Sequence, residues 1–265
     1  MIRRGERLES PGVAVSIIDV IGSGAGGWKV PALPLAAIHV WQVSLVVPES
    51  SFLEFSNLLS QDERERASRF HFERDARKFT VARGSTRSIL SAYVKQARPD
   101  LQFTYSQHGK PSIGGASGEI RFSVSHSGDF ALVAVTCGRE VGVDIEKIRE
   151  DVETDKLAER FFSEAERLAI RALPAERRVP AFFRCWSCKE AFLKAQGVGL
   201  SRPLDSFDVE VDADRPARLL ATRPSADEAR RWLLYDIEAP AGYAAAAAAE
   251  GAVSDVTILR TKTLR

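Results

Sequence analysis

Gly242-Tyr243-Ala244-Ala245-Ala246-Ala247-Ala248-Ala249 is the stretch on which the fold turns. Alanine is the best helix former, so propensity alone reads the run as helix. An earlier stretch points the other way. Asp129-Phe130 is followed by Ala131-Leu132-Val133-Ala134-Val135-Thr136, which has strand composition, and Gly242-Tyr243 stands in the same relation to the alanines. Phe182 falls where Phe79 does after a shift of 103 residues, and Leu193 falls where Leu90 does. Arg160-Phe161-Phe162 is a looser match to Arg69-Phe70-His71-Phe72. This weak internal repeat makes the alanine run a buried strand tightly covered by a helix. The expected fold class is α+β, with two pseudo-symmetric halves. Each half is a small, largely antiparallel sheet packed with helices, and the ligand site lies at their junction.

The units expected are a leader over 1–34, read as flexible, an N-terminal half over 35–142 and a C-terminal half over 143–265. Residues 13–21 have strand composition, and Gly22 to Gly27 matches G-x-G-x-x-G. A dinucleotide site needs that turn to open a helix. Pro31 and Pro34 stand against one, so that reading is set aside. Ile38 to Val47 reads as the first strand of the body and Ser51 to Leu59 as a short helix. Ser60-Gln61-Asp62-Glu63 has the form of a capping box opening another helix. Arg64, Arg66, Arg69, Arg74, Arg77, Lys78, Arg83 and Arg87 follow, interleaved with acids. They form either a salt-bridged helical face or an anion site for a phosphate-bearing ligand. Phe79 to Lys95 continues as helix. Phe103-Thr104-Tyr105 reads as a short strand and Gly109-Lys110-Pro111 as a turn. Ile120 to Ser125, Phe130 to Thr136 and Val141 to Glu146 read as a small antiparallel meander.

Composition narrows the class. The chain has 265 residues, 45% of them apolar, and a net charge of +1 from 37 basic and 36 acidic side chains. Such a balance argues against a dedicated nucleic-acid binder. No apolar run approaches the ~18 residues of a membrane span, and Met1-Ile2-Arg3-Arg4-Gly5-Glu6 lacks the apolar core of a signal peptide. Three cysteines make no disulfide framework, so a cytoplasmic protein with reduced thiols is expected.

The candidate chemistry sits in two stretches. Trp186-Ser187-Cys188-Lys189-Glu190-Ala191-Phe192-Leu193-Lys194 reads as helix. Cys185, Trp186, Phe192 and Leu193 can face a core, while Lys189, Glu190 and Lys194 are left on or beside another face. The plainer reading of Glu190 and Lys194 is an i,i+4 surface pair worth roughly 0.3–0.5 kcal/mol. The second stretch is Val141-Gly142-Val143-Asp144-Ile145-Glu146. Residues two apart on a strand share a face, so Asp144 and Glu146 present two carboxylates together. They are either solvated acids or ligands of a hard cation such as Mg2+, which takes oxygen donors and substrate phosphates. Glu190 can add a third oxygen, Lys194 one turn on would lie near a bound phosphate, and His126 adds a donor.

Five motifs in order resemble one family. They are Gly109-Lys110-Pro111; Phe122-Ser123-Val124-Ser125-His126-Ser127; Val141 to Glu146; Phe161-Phe162-Ser163-Glu164-Ala165-Glu166; and Trp186 to Lys194 with Gly197-Val198-Gly199-Leu200. Together, over residues 60–250, they resemble 4′-phosphopantetheinyl transferases of the surfactin-synthetase-activating type. The resemblance implies two related α+β halves with coenzyme A between them. It implies transfer of 4′-phosphopantetheine to a serine of an apo acyl or peptidyl carrier protein, releasing adenosine 3′,5′-bisphosphate, by a chain acting as a monomer. It further implies Asp144, Glu146 and Glu190 as Mg2+ ligands and Lys194 at the pyrophosphate. His126 then falls on the phosphates, Lys110, Pro111 and Ser125 near the nucleotide, and Arg66 and Lys78 by the 3′-phosphate. Glu190 is the preferred base for the attacking serine, with Glu146 as competitor. Cys185-Trp186-Ser187-Cys188 has redox spacing, but it lies inside a helix rather than at the start of one. The non-enzymatic alternative is a homologue that binds coenzyme A or a carrier without transfer.

Overall fold

The alanine run is a strand, and Ala246 to Ala249 have no exposed surface. The computed structural model describes residues 2–10, 13–21, 28–94, 101–114 and 119–262. In chain order the elements are β1 (Ile2–Ser10), β2 (Val13–Ile21), β3 (Ala37–Ser44), α1 (Glu49–Asn57), α2 (Gln61–Ser68) and α3 (Glu73–Val94). Then come β4 (Phe103–Tyr105), β5 (Pro111–Ile113), β6 (Ile120–Ser127), β7 (Phe130–Cys137), β8 (Val141–Lys147), α4 (Thr154–Phe161), α5 (Glu164–Ala172) and α6 (Ala175–Gln196). The chain closes with β9 (Phe207–Val209), β10 (Leu219–Thr222), α7 (Glu228–Arg231), β11 (Trp232–Asp236), β12 (Tyr243–Glu250) and β13 (Asp255–Lys262). Among the described residues no helix is long and apolar enough to cross a membrane.

The repeat is structural. The first half lays its strands in the order β3-β7-β6 and the second in the order β8-β12-β11, all antiparallel. Register is kept as well as order. Trp41 faces Val133 across β3 and β7, and Asp144 faces Ala246 across β8 and β12. A shift of 103 residues carries Trp41 to Asp144, and one of 113 carries Val133 to Ala246. The same 103 residues carry α3 onto 176–197, where α6 spans 175–196. They also carry the capping box of Ser60 and Glu63 onto that of Ser163 and Glu166. In both halves the capping-box glutamate does more than cap, because it reaches a cation on the long helix. Glu63 meets Arg87 and Arg83, each at 2.6 Å, and Glu166 meets Lys189 at 2.8 Å.

Three apolar clusters follow from strand alternation. One face of the first sheet packs under α3 through Trp41, Val133, Ile89 and Leu90. One face of the second packs under α6 through Ala246, Ala248, Ala191 and Phe192. The remaining faces meet each other through Ile38, Val40, Val143, Ile145 and Ala247. Helices thus cover the outside of two sheets whose inner faces share a core.

The structure departs from the sequence reading in three places. The meander is broken, since β8 leaves β7 and takes β12 as its ladder partner in the second sheet. The core does not begin at Leu35. The strand expected at 13–21 is present and pairs in parallel with β13, and Val20 and Trp28 are buried. Gly22 to Gly27 lie outside the described residues, and no helix follows them over 28–34.

Lys189 is the third departure. It is fully buried rather than on the polar face of α6. Its ammonium donates to the carbonyls of Leu204 (2.8 Å) and Phe207 (2.6 Å) and pairs with Glu166. Burial pushes the Glu166 carboxyl up, and Lys189 opposes that. Removing one partner of such a pair strands the other charge in a dry interior. Lys189→Ala is therefore expected to cost about 3–5 kcal/mol of stability, while Lys189→Met combined with Glu166→Gln costs much less. Urea unfolding of the two variants checks this, and equal losses would contradict it.

Candidate active site

β6 and β8 lie side by side where the halves join, and three alternate serines of β6 span the gap. Ser123 Oγ accepts from the Val143 amide at 3.2 Å. Ser125 Oγ donates to Asp144 Oδ1 at 2.8 Å. Ser127 Oγ donates to Glu146 Oε2 at 2.9 Å and accepts from the Lys147 amide at 3.1 Å. Period-two alternation puts all three hydroxyls on one side of β6 and both carboxylates on one side of β8.

α6 completes the site. Gly142 touches its backbone directly: a Cβ there would lie 2.0 Å from the Ala191 carbonyl oxygen and 2.3 Å from the Ala195 amide nitrogen. With the helix so near, Lys194 Nζ reaches Asp144 Oδ1 at 2.6 Å and Ser125 Oγ at 2.9 Å. Asp144 is buried, and its second oxygen, Oδ2, has no hydrogen-bond partner among the described residues. Glu190 lies one turn before Lys194. Burial pushes its carboxyl up, Lys194 opposes that, and the charges of Asp144 and Glu146 add to the rise. Glu146 is pushed up first by burial and then by Asp144. The charge of Asp144 thus bears on both Glu146 and Glu190. Among the described residues, however, no three His, Cys, Asp or Glu side chains are gathered closely enough to hold a metal as they stand.

The other expected site residues surround this centre. His126, at the open edge of β6, has its proton affinity lowered by partial burial and by the charges of Lys194 and Arg66. Arg66 stacks its guanidinium 5.3 Å from the Phe79 ring centre and has no ion pair among the described residues. Lys78 is held 2.8 Å from Asp129 in the turn after His126. The basic segment is thus mostly a salt-bridged face, with Arg77 on Glu49 and Arg83 and Arg87 on Glu63. Arg64, Arg66 and Arg69 are its exceptions among the described residues, Arg64 donating to the Leu59 carbonyl instead. Lys110 and Pro111 line a cleft of about 180 Å3 whose other wall is Leu193, Lys194, Gly197 and Gly199, so one half faces the other across it. Lys110 Nζ donates to the Ala195 carbonyl at 2.6 Å and pairs with Glu140, tying that wall to the end of α6.

Cys185 and Cys188 are fully buried within α6, and burial pushes Cys188 up to about 12 and Cys185 well above its usual value. A redox dithiol needs the opposite shift. Sequence reasoning missed Ser123, Ser127, Gly142 and Glu140. The alternation of Ser123, Ser125 and Ser127 was the available signal for two of them.

Comparison with known proteins bears on the family of the chain. A family model described as the 4'-phosphopantetheinyl transferase superfamily matches residues 140–248. A second, described as 4'-phosphopantetheinyl transferase, N-terminal, matches residues 46–138. The chain is 37% identical over 227 residues to 4'-phosphopantetheinyl transferase HetI of Nostoc sp., covering 84% of this chain and 92% of that one. It is 33% identical over 160 residues to 4'-phosphopantetheinyl transferase Sfp of Bacillus subtilis, covering 60% and 70%. A solved holo-(acyl-carrier-protein) synthase from Bacillus anthracis, in complex with CoA (3',5'-ADP), gives a TM-score of 0.35 at 21% identity, over 43% of this chain and 96% of that one. That likeness is partial.

Proposed function

The chain belongs to the 4′-phosphopantetheinyl transferase superfamily, and from that premise we propose how its own residues carry the transfer. The donor is coenzyme A and the acceptor is a serine of an apo acyl or peptidyl carrier protein. The serine oxygen attacks the phosphorus on the pantetheine side of the diphosphate. The bond from that phosphorus to the bridging oxygen breaks, and adenosine 3′,5′-bisphosphate leaves with the electron pair.

The observation that carries this reading is a buried Asp144 with one oxygen unpartnered, set among Glu146, Glu190 and Lys194. These residues fit Mg2+. Their donors are hard oxygens, an orphaned carboxylate oxygen is costly without a partner, and like charges brought together call for a cation. Asp144, Glu146 and Glu190 would hold the ion, which supplies charge neutralisation at the diphosphate when bound. Lys194 places a positive charge beside the leaving oxygens, where negative charge grows in the transition state. His126 binds phosphate oxygens of the diphosphate, and Arg66 and Lys78 hold the 3′-phosphate, Lys78 exchanging its Asp129 partner for it. The cleft at Lys110 and Pro111 holds the nucleotide. Glu190 takes the serine proton, since it is the acid on α6 nearest the reacting centre and is not committed to a serine as Glu146 is. Glu146, held by Ser127, is the competitor.

Four intact groups (Asp144, Glu146, Glu190 and Lys194) count against a homologue that binds without transfer. A single monomeric chain suffices, because both walls of the cleft come from it, and the unpaired buried thiols fit a reducing cytoplasm. Mass spectrometry of apo-carriers incubated with enzyme, Mg2+ and coenzyme A should show one phosphopantetheine added on serine, and no addition with excess chelator. An unmodified carrier under both conditions, across fatty-acid, polyketide and peptide carriers, would defeat the proposal.

A further inference from the structure

Resting on that reading, we infer that Ser127 is a positioning residue for Glu146, setting the site's affinity for its divalent cation from the opposite half of the molecule. Ser127 has a defined hydroxyl direction. Its oxygen accepts from the Lys147 amide, so its proton is directed elsewhere, and Glu146 Oε2 lies 2.9 Å away to receive it. One glutamate oxygen is thereby occupied and the other is not used by this bond. Ser127 lies on β6 and Glu146 on β8, whose ladder partner is β12. The orientation of a second-half carboxylate is therefore fixed by a first-half side chain, across a seam made of hydroxyls. The three serines divide the work. Among the described residues Ser123 bonds backbone of β8, at Val143. Ser125 bonds Asp144, which Lys194 also holds. Among the described residues Glu146 forms no ion pair, and Lys194 and Arg149 act on it only by charge, so Ser127 matters more to it than Ser125 does to Asp144.

Groups that orient a metal ligand typically change metal affinity by about 10–100-fold when removed. The test titrates Mg2+ calorimetrically into the full chain with coenzyme A present and no carrier, so that no turnover intervenes. Ser127→Ala should weaken Mg2+ binding by about tenfold or more. Ser127→Val should do the same and Ser127→Thr should restore it. Val and Thr differ in one hydroxyl at equal bulk, so any general effect of branching on folding cancels between them. With Ser127→Ala, turnover should fall at limiting Mg2+ and recover at saturating Mg2+. Wild-type Mg2+ affinity in Ser127→Ala, or equal affinities in the Val and Thr variants, would overturn the inference. A wild-type protein that binds no Mg2+ overturns it at an earlier step, and then the reading of the three carboxylates falls too.

Discussion

Asp144→Ala and Glu190→Ala each lower kcat for phosphopantetheine transfer by at least about 1,000-fold, with the fold intact. The size follows from what each carboxylate does. Asp144 is buried, bonded by Ser125 and Lys194, with one oxygen left over. Without it Lys194 loses its charged partner and keeps only the Ser125 contact, and the diphosphate loses a fixed reference point. Glu190 is proposed both as an oxygen donor to the cation and as the base. Stability should change little, because the three carboxylates repel one another and removing one relieves its neighbours. Asp144→Asn is the stricter version: it keeps shape and the Ser125 contact but loses charge. Circular dichroism and melting temperature report the fold, and a single-turnover assay with labelled coenzyme A reports transfer. Wild-type-like turnover by either purified variant would refute the assignment.

Much of this was legible in residue order. The alanine strand could be read despite its helical propensity because the repeat supplied independent information about burial. Small side chains alone would have misled, since propensity says nothing about what packs above a strand. Asp144, Glu146, Glu190 and Lys194 were legible as a set because each sits at a period that fixes its face. Lys189 was not legible. Helical spacing gives direction, but Glu166 on α5 and the carbonyls at Leu204 and Phe207 decide burial, and they come from other elements. The place of β8 was also hidden. A short turn after β7 suggests a hairpin, yet the chain crosses to the second sheet, and serine hydroxyls meet it from β6.

The repeat also shows why only one half holds the chemistry. Shifting back by 103 residues, Asp144, Glu146, Glu190 and Lys194 fall on Trp41, Val43, Arg87 and Ser91. Trp41 is buried and donates its indole N–H to Tyr93, while Arg87 is spent on Glu63. Glu63 pays the burial penalty, but Arg87, the Ser60 amide and Arg83 outweigh it and hold its carboxyl below the usual range. The same backbone in the first half is thus packed and internally paired, and its register is retained without its acids.

Gly142→Ala should be nearly as damaging as loss of a carboxylate, although the residue bears no functional group. Its counterpart after the 103-residue shift is His39, whose imidazole fits between β3 and α3 and bonds the Tyr93 hydroxyl at 2.8 Å. At Gly142 there is no such gap. The atoms a Cβ would strike at 2.0 and 2.3 Å belong to the backbone of α6 and cannot rotate away. A methyl group there must push helix and strand apart at Ala191 and Ala195, on the turns that carry Glu190 and Lys194. The neighbouring strand offers no slack, since Ala246 and Ala248 already face α6 with the smallest side chain that has a Cβ. Overpacking of this kind costs about 3 kcal/mol or more when the obstruction is rigid. A displacement near 1 Å between reacting groups costs about 100-fold in rate. Both losses should appear together: a lower urea midpoint, and reduced kcat at a temperature where the variant is fully folded. Lys194 would no longer reach Asp144 at 2.6 Å, so adding Asp144→Asn to Gly142→Ala should lower the rate by less than it does in the wild type. Fully additive effects, or a Gly142→Ala protein as stable and active as the parent, would show that close contact of β8 with α6 is not what assembles the site.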